Sequence, residues 1–180
     1  MDNIVIAIAK GRIEKDVYRR LKILNMEDCI ETDSRKLIFT DEENKITYIH
    51  VKPSDVVTYV EKGVADLGIV GKDTILENEN DDEVYELLDL GFGKCKFSVA
   101  GIKGKNNYSK EEILKVATKY PHIAKKYFKS RGQNIEIIKL NGSVELAPIV
   151  GLSDVIVDLV ETGNTLKVNG LEIVEDMCNI

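Results

Sequence analysis

Asp154-Val155-Ile156-Val157-Asp158-Leu159-Val160-Glu161-Thr162-Gly163-Asn164-Thr165-Leu166 is an apolar run carrying one acid, followed by a bend through a glycine with threonines on either side. Val155–Val160 is too short for a buried helix and rich in β-branched residues, so it reads as a strand covered on both faces. Before it stand a short helical stretch, Ser143–Val150, and the turn Gly151-Leu152-Ser153-Asp154. After it, Thr165–Asn169 has room for one helical turn. The order helix, glycine turn, buried strand, polar turn also occurs at Tyr59–Asp73, through Gly63, Val64-Ala65-Asp66 and the short strand Asp66–Val70. One grammar used twice predicts two α/β lobes. In open sheets of this kind ligands bind beyond the carboxyl ends of the strands.

The rest of the chain fits around these units. Asn3–Ala9 is a continuous apolar run and reads as a first buried strand; Ile13, Val17, Leu21 and Leu24 then recur at helical spacing. Lys36–Thr40 and Lys45–Val51 flank Asp41-Glu42-Glu43-Asn44 as an antiparallel hairpin. Ser54 is placed to cap a helix that runs through Lys62 and stops at Gly63. Val84–Ile102, interrupted by Gly91 and Gly93, reads as strand-rich and as the passage between lobes. Ser109 and Glu112 have capping-box spacing ahead of a short helix. Val116-Ala117-Thr118 then reads as strand, Pro121 to Gly132 as helix, Ile135–Leu140 as strand and Leu171–Val174 as the start of a last strand. The expected division is lobe one over residues 1–92, with 171–180 returning to it, and lobe two over 93–170.

Composition narrows the function. With 180 residues, a net charge of -6 and no Lys/Arg block, the chain lacks the clustered positive charge that nucleic-acid backbones demand. Cys29, Cys95 and Cys178 are far apart, and with His50 and His122 they form no metal-ligand spacing. Ile4–Ala9 has no charged leader and is too short to span a bilayer, so a cytoplasmic protein without membrane partners is expected. There is no G-x-x-x-x-G-K-[ST] loop, no G-x-G-x-x-G after the first strand and no G-x-S-x-G elbow, and neither histidine stands in a triad-like setting. Covalent and general-base chemistry are therefore not expected, and no metal ligands are assigned.

Chemistry concentrates at strand ends. In Thr162-Gly163-Asn164-Thr165, a glycine permits close backbone approach, while bare amides and two hydroxyls suit a phosphate monoester; Asp158 could accept from sugar hydroxyls beside it. An ordinary capped turn, with Thr162 or Thr165 as the cap, explains the same spacing. Ser143 can cap a helix whose first turn holds Glu145, either as helix-start electrostatics or as a second acid for the sugar. Lys10-Gly11-Arg12 follows the first strand, Lys52 precedes Pro53, and Lys72-Asp73 follows Asp66–Val70. Each suits a solvated loop as well as a pyrophosphate grip.

The segments Val116-Ala117-Thr118-Lys119-Tyr120-Pro121, Leu140 through Pro148, and Gly151-Leu152-Ser153-Asp154 through Leu166 closely resemble the ATP phosphoribosyltransferase family. So do Lys10-Gly11-Arg12, Ser54-Asp55, Ala65 through Ile69, Gly71-Lys72-Asp73 and Leu90-Gly91-Phe92-Gly93, in collinear order. The resemblance implies a two-lobed fold like type II periplasmic binding proteins, with the active site between the lobes. It implies attack of adenine N1 of ATP on the anomeric carbon of phosphoribosyl pyrophosphate, with Mg2+ on the departing pyrophosphate, as the first step of histidine biosynthesis. Thr162, Gly163, Asn164 and Thr165 would bind the 5′-phosphate, Asp158 and Glu145 the ribose hydroxyls, and Lys10, Arg12, Lys52 and Asp73 would lie near ATP or pyrophosphate. This sequence has Ala9 and Val57-Thr58 where the family often has proline and proline-threonine, and Lys52 where it often has arginine. It ends at Ile180, short of the long form's regulatory domain and of the strand and helix that usually close the short form. Such short forms resemble partners of a separate histidyl-tRNA-synthetase-like regulatory subunit in a hetero-oligomer, through which histidine would act. A two-lobed binder without catalysis and a phosphoribosyltransferase for a free base are the competing readings.

Overall fold

The computed structural model describes residues 3–26, 29–30, 35–78, 84–105, 108 and 112–180, and the chain divides into two units, residues 1–93 and 94–180. In the first unit β1 (Ile4–Ala9) lies parallel to both β3 (Ile46–Val51) and β4 (Leu67–Ile69), while β2 (Ile38–Asp41) pairs antiparallel with β3. The strand order is β2-β3-β1-β4. Because β1 is central, both its faces are buried, which is why its sequence is apolar throughout. Ile6 and Ile8 meet Val17, Tyr18 and Leu21 of α1 (Glu14–Ile23), together with Phe39 and Tyr48. Ala7 and Ala9 join Val56 of α2 (Pro53–Glu61) and Ala65. Small residues bring α2 close: a Cβ added at Gly68 would stand 2.7 Å from Val56 Cγ1. A short helix, α3 (Lys72–Glu77), follows β4.

The second unit carries β5 (Lys96–Ile102), β6 (Leu114–Thr118), α4 (Pro121–Ser130), β7 (Ile135–Lys139), α5 (Leu146–Ile149), β8 (Val155–Val160), α6 (Asn164–Val168) and β9 (Leu171–Asn179). Its sheet order is β7-β6-β8-β5-β9; β6 runs parallel to β7 and β8, and β5 antiparallel to β8 and β9. One core unites Ala100, Ala117, Ile156 and Val160 with Val144 and Ala147 around α5 and Leu166 of α6. Phe97, Val99, Val116, Val155 and Val157 alternate with that set and are also buried, as are Ile123, Ala124 and Phe128 of α4, which packs on β6 and β7.

Several local expectations change. Residues 171–180 do not return to the first unit: β9 forms a ladder with β5 from Leu171–Ile102 to Asn179–Lys96, and Ile180 and Cys95 exchange both backbone bonds beyond it. β5 would otherwise present an unpaired edge, and β9 covers it. Residues 84–95 form no strand, because Asp89 Oδ1 accepts the Gly91 amide and both Gly91 and Gly93 take positive φ. Ser54 lies inside α2, which starts at Pro53, and its hydroxyl donates to Asp55 Oδ1. Ser143 takes φ 50 and does not cap through its side chain; its carbonyl accepts the Leu146 amide, and the helix is only Leu146–Ile149. Of the expected capping box, Ser109 lies outside the described residues, and no helix follows Glu112, since β6 begins at Leu114.

Candidate functional site

In the second unit the bend after β8 is open. Glu161, Thr162, Asn164 and Thr165 are exposed and Gly163 is half-buried. Gly163 adopts φ 73, ψ 6, the left-handed region that favours glycine, and as the N-cap of α6 it offers no side chain to the helix start. Of the capped-turn alternative the bend keeps one long bond, from Asn164 N–H to Thr162 Oγ1 at 3.4 Å. The bend is nevertheless fixed from below. Leu166 is 5% exposed in the core, Lys167 N–H closes on the Gly163 carbonyl at 3.1 Å, and Asn169 Nδ2 donates to the Thr165 carbonyl at 2.8 Å. The result is a set of outward polar groups on a rigid base.

Asp158 is half-buried on β8 directly opposite Ser98 of β5, so the two share a sheet face. It is the face of Ile156 and Val160, which α5 and α6 cover. Ser98 is fully buried and lies opposite Asp176 of β9, to whose Oδ1 it donates at 2.8 Å, while Lys96 Nζ donates to Oδ2 at 2.6 Å. The Lys96 bond, followed by the Ser98 bond, holds the Asp176 carboxyl below the usual range. Sequence reasoning missed this polar group beside Asp158, because Ser98 and Asp176 are 78 residues apart and only the β5–β9 ladder joins them. Glu145 is half-buried with helical dihedrals just before α5, anchored by the neighbouring buried Val144. The Asn141–Glu145 and Glu161–Thr165 turns both follow the carboxyl ends of parallel strands, β7 and β8.

In the first unit the same logic gathers Lys52, Lys10 and Asp73 just past the carboxyl ends of the neighbouring strands β3, β1 and β4. Lys10 and Lys52 are exposed, and the Lys10 amide extends the ladder to the Val51 carbonyl at 2.9 Å. Asp73 is half-buried in the first turn of α3, its carboxylate folded over Gly71 where any Cβ would clash. Arg12 is exposed, and its Nη1 makes a long bond to the Gly93 carbonyl at 3.4 Å.

Behind Lys10 lies a chain of polar groups that spacing did not reveal. Glu14 Oε2 accepts the Gly11 amide at 3.0 Å and its Oε1 accepts the Tyr18 hydroxyl at 2.7 Å; that hydroxyl also meets His50 Nε2 at 3.1 Å. Burial alone would raise the Glu14 carboxyl, but the Gly11 and Tyr18 bonds and the charges of His50 and Lys10 outweigh it, leaving Glu14 below its ordinary value. His50 is 5% exposed, and burial, with Lys10 adding to it against the pull of Glu14, holds the imidazole below its ordinary value. Burial first, and then Glu14, push the Tyr18 phenol upward.

Residues 52–180 match the family model described as ATP phosphoribosyltransferase. The ATP phosphoribosyltransferase of Clostridioides difficile (strain 630) is 76% identical over 180 residues, which is 100% of this chain and 86% of that protein. Among solved structures, the ATP phosphoribosyl transferase (HisG:HisZ) complex from Thermotoga maritima aligns with a TM-score of 0.83 and 38% identity, covering 98% of this chain and 83% of that one. A probable amino-acid ABC transporter extracellular-binding protein, ytmK of Bacillus subtilis, aligns at TM-score 0.50 and 12% identity over 98% of this chain and 80% of its own; that likeness concerns the two-lobed α/β fold alone. The glycine bend and its neighbouring acid thus sit in a chain that matches one family over most of its length, and the chain belongs to the ATP phosphoribosyltransferase family.

Proposed function

We propose that this chain is the catalytic subunit of a short-form ATP phosphoribosyltransferase, which joins ATP to phosphoribosyl pyrophosphate in the first step of histidine biosynthesis. The lone pair of adenine N1 forms the new bond to the anomeric carbon, and the carbon–oxygen bond to pyrophosphate breaks with its electron pair leaving on pyrophosphate. Adenine N1 is unprotonated at neutral pH, so the step needs no base, and the protein's share is positioning and charge neutralisation.

The observation that carries this reading is the exposed glycine bend Thr162–Thr165 beside Asp158. Its amides and hydroxyls hold the 5′-phosphate, with Gly163 allowing the backbone to come close. Asp158 and Glu145 accept hydrogen bonds from the ribose hydroxyls and so fix the anomeric carbon. Lys10 and Lys52 meet the phosphates of ATP or the departing pyrophosphate; Asp73 lies at the same strand ends, and Arg12 takes a lesser part beside them.

Magnesium would be held mainly by pyrophosphate oxygens, since it usually takes only one or two protein carboxylates beside substrate phosphates. That suits a donor set in which, among the described residues, no three His, Cys, Asp or Glu side chains gather. It supplies neutralisation of the leaving group. By likeness to the Thermotoga maritima HisG:HisZ complex, a separate regulatory subunit is the expected partner, in a hetero-oligomer. The proposed setting is the cytoplasm; no helix among the described residues is long and apolar enough to cross a membrane.

The test supplies ATP, phosphoribosyl pyrophosphate and Mg2+ to the purified chain, with and without a regulatory subunit from a close relative. Formation of N1-phosphoribosyl-ATP and pyrophosphate is expected. A folded chain that binds no phosphoribosyl pyrophosphate and makes no product in either case refutes the proposal.

A further inference from the structure

The Lys10-Gly11-Arg12 turn leaves β1 with Gly11 at φ 113, a conformation that glycine permits but does not by itself enforce. What holds the turn is Glu14, one turn into the chain that follows. One carboxylate oxygen takes the Gly11 amide and the other takes the Tyr18 hydroxyl. A phenol has a single proton, and here it goes to Glu14; the 3.1 Å contact with His50 Nε2 therefore requires the imidazole to donate. His50 lies on β3 two residues before Lys52, opposite Ile8 in the ladder, with the Phe39 ring 5.0 Å away. Gly11, Glu14, Tyr18 and His50 thus form one hydrogen-bonded chain from the end of β1, through α1, to the end of β3. It starts next to Lys10 and stops just short of Lys52.

Two cations at neighbouring strand ends repel one another, and two long, exposed side chains have little reason to share one orientation. A carboxylate bonded to the backbone of the turn and, through the Tyr18 hydroxyl, linked to the His50 side chain of β3 answers both problems. It supplies the opposite charge near Lys10, and it converts a flexible glycine turn into a fixed one. Tyr18 is 9% exposed and His50 5%, so water does not compete freely for these bonds. We propose that Glu14, Tyr18 and His50 are positioning residues that lock the Lys10–Arg12 turn against the end of β3 and so set Lys10 for the phosphates of the substrate it meets. The inference rests on the proposed role of Lys10.

The experiment is a double-mutant cycle on the purified chain with its regulatory partner, measuring kcat and KM for both substrates. Lys10→Ala first identifies the substrate whose phosphates Lys10 meets, by the KM that rises. Tyr18→Phe keeps the ring and removes only the hydroxyl, so the fold is expected to persist. It should raise the same KM about five- to tenfold, the worth of one hydrogen bond, with kcat within about twofold. Made on top of Lys10→Ala, it should add less than about twofold, because the cation it positions is gone. Glu14→Ala should follow the same pattern with a larger rise; should that variant fail to fold, Tyr18→Phe carries the test. A Tyr18→Phe effect of equal size in both backgrounds marks a merely structural role and overturns the inference, as does no effect in the parent chain. If Lys10→Ala leaves both KM values unchanged, the role of Lys10 itself falls, and the inference with it.

Discussion

Replacing Gly163 by alanine separates two things that the bend does. Gly163 sits at φ 73, ψ 6, and among the described residues, chain neighbours aside, a Cβ there would meet Val160 Cγ1 at an ordinary 3.8 Å. Gly163→Ala therefore meets no collision, and its cost to the fold is the left-handed backbone alone, about 1–2 kcal/mol. For a chain of this size that lowers Tm by roughly 2–8 °C. Phosphoribosyl pyrophosphate binding should suffer more, because the added methyl obstructs the approach of a phosphate to the amides. Thermal melts with and without ligand read both effects. At a ligand concentration of about 100 Kd the parent gains about 2.7 kcal/mol, a shift of roughly 5–11 °C. A variant weakened about 100-fold gains only about 0.4 kcal/mol at that concentration, a shift of about 1–2 °C. Gly163→Asn, which tolerates left-handed φ, should recover part of the stability but none of the ligand shift. If Gly163→Ala lowers Tm yet keeps the full ligand-induced shift, the bend does not hold the phosphate.

Asp158→Asn, nearly isosteric, should weaken phosphoribosyl pyrophosphate binding by about 10- to 100-fold, the worth of charged hydrogen bonds, while circular dichroism and Tm stay near the parent's; calorimetric titration measures it. Gly68→Ala should destabilise the first unit by about 1–3 kcal/mol, since its Cβ would meet Val56 Cγ1 at 2.7 Å and Val60 Cγ2 at 3.0 Å; urea unfolding checks this. Stability should fall on acidification. His50 and Glu14 are both held below their ordinary values in the folded state, so in each case the unfolded chain binds the proton more readily. The His50 contribution is complete above its unfolded value near 6.5 and is lost as pH drops through the lower folded value; that of Glu14 follows the same sign below about 4.5. His50→Gln should flatten the upper part of the curve in urea unfolding against pH, and an unchanged curve would count against the buried neutral imidazole.

The core strands were legible in sequence for a simple reason. β1 and β8 are central in their sheets, covered on both faces, and so written as unbroken apolar runs. The strand ends were legible too, which is why Lys10, Lys52, Asp73, Glu145 and the Thr162–Thr165 bend could be singled out as residues past carboxyl ends. Helix starts were read less well. Ser54 and Ser143 carry the side chain of a cap, but Pro53 already begins α2, and a left-handed Ser143 turns its carbonyl rather than its hydroxyl to the helix.

By itself, the sequence determined two α/β units, their buried strands and the polar turn that follows each, because burial and turn chemistry act over a few neighbouring residues. The tertiary structure alone decided that residues 171–179 edge the second sheet, that Ser98 stands between Asp158 and Asp176, and that Glu14, Tyr18 and His50 share one chain of hydrogen bonds. Those are choices of partner between residues as distant in sequence as Lys96 and Asn179, and no local pattern encodes which edge a strand joins or which distant side chain satisfies a buried donor.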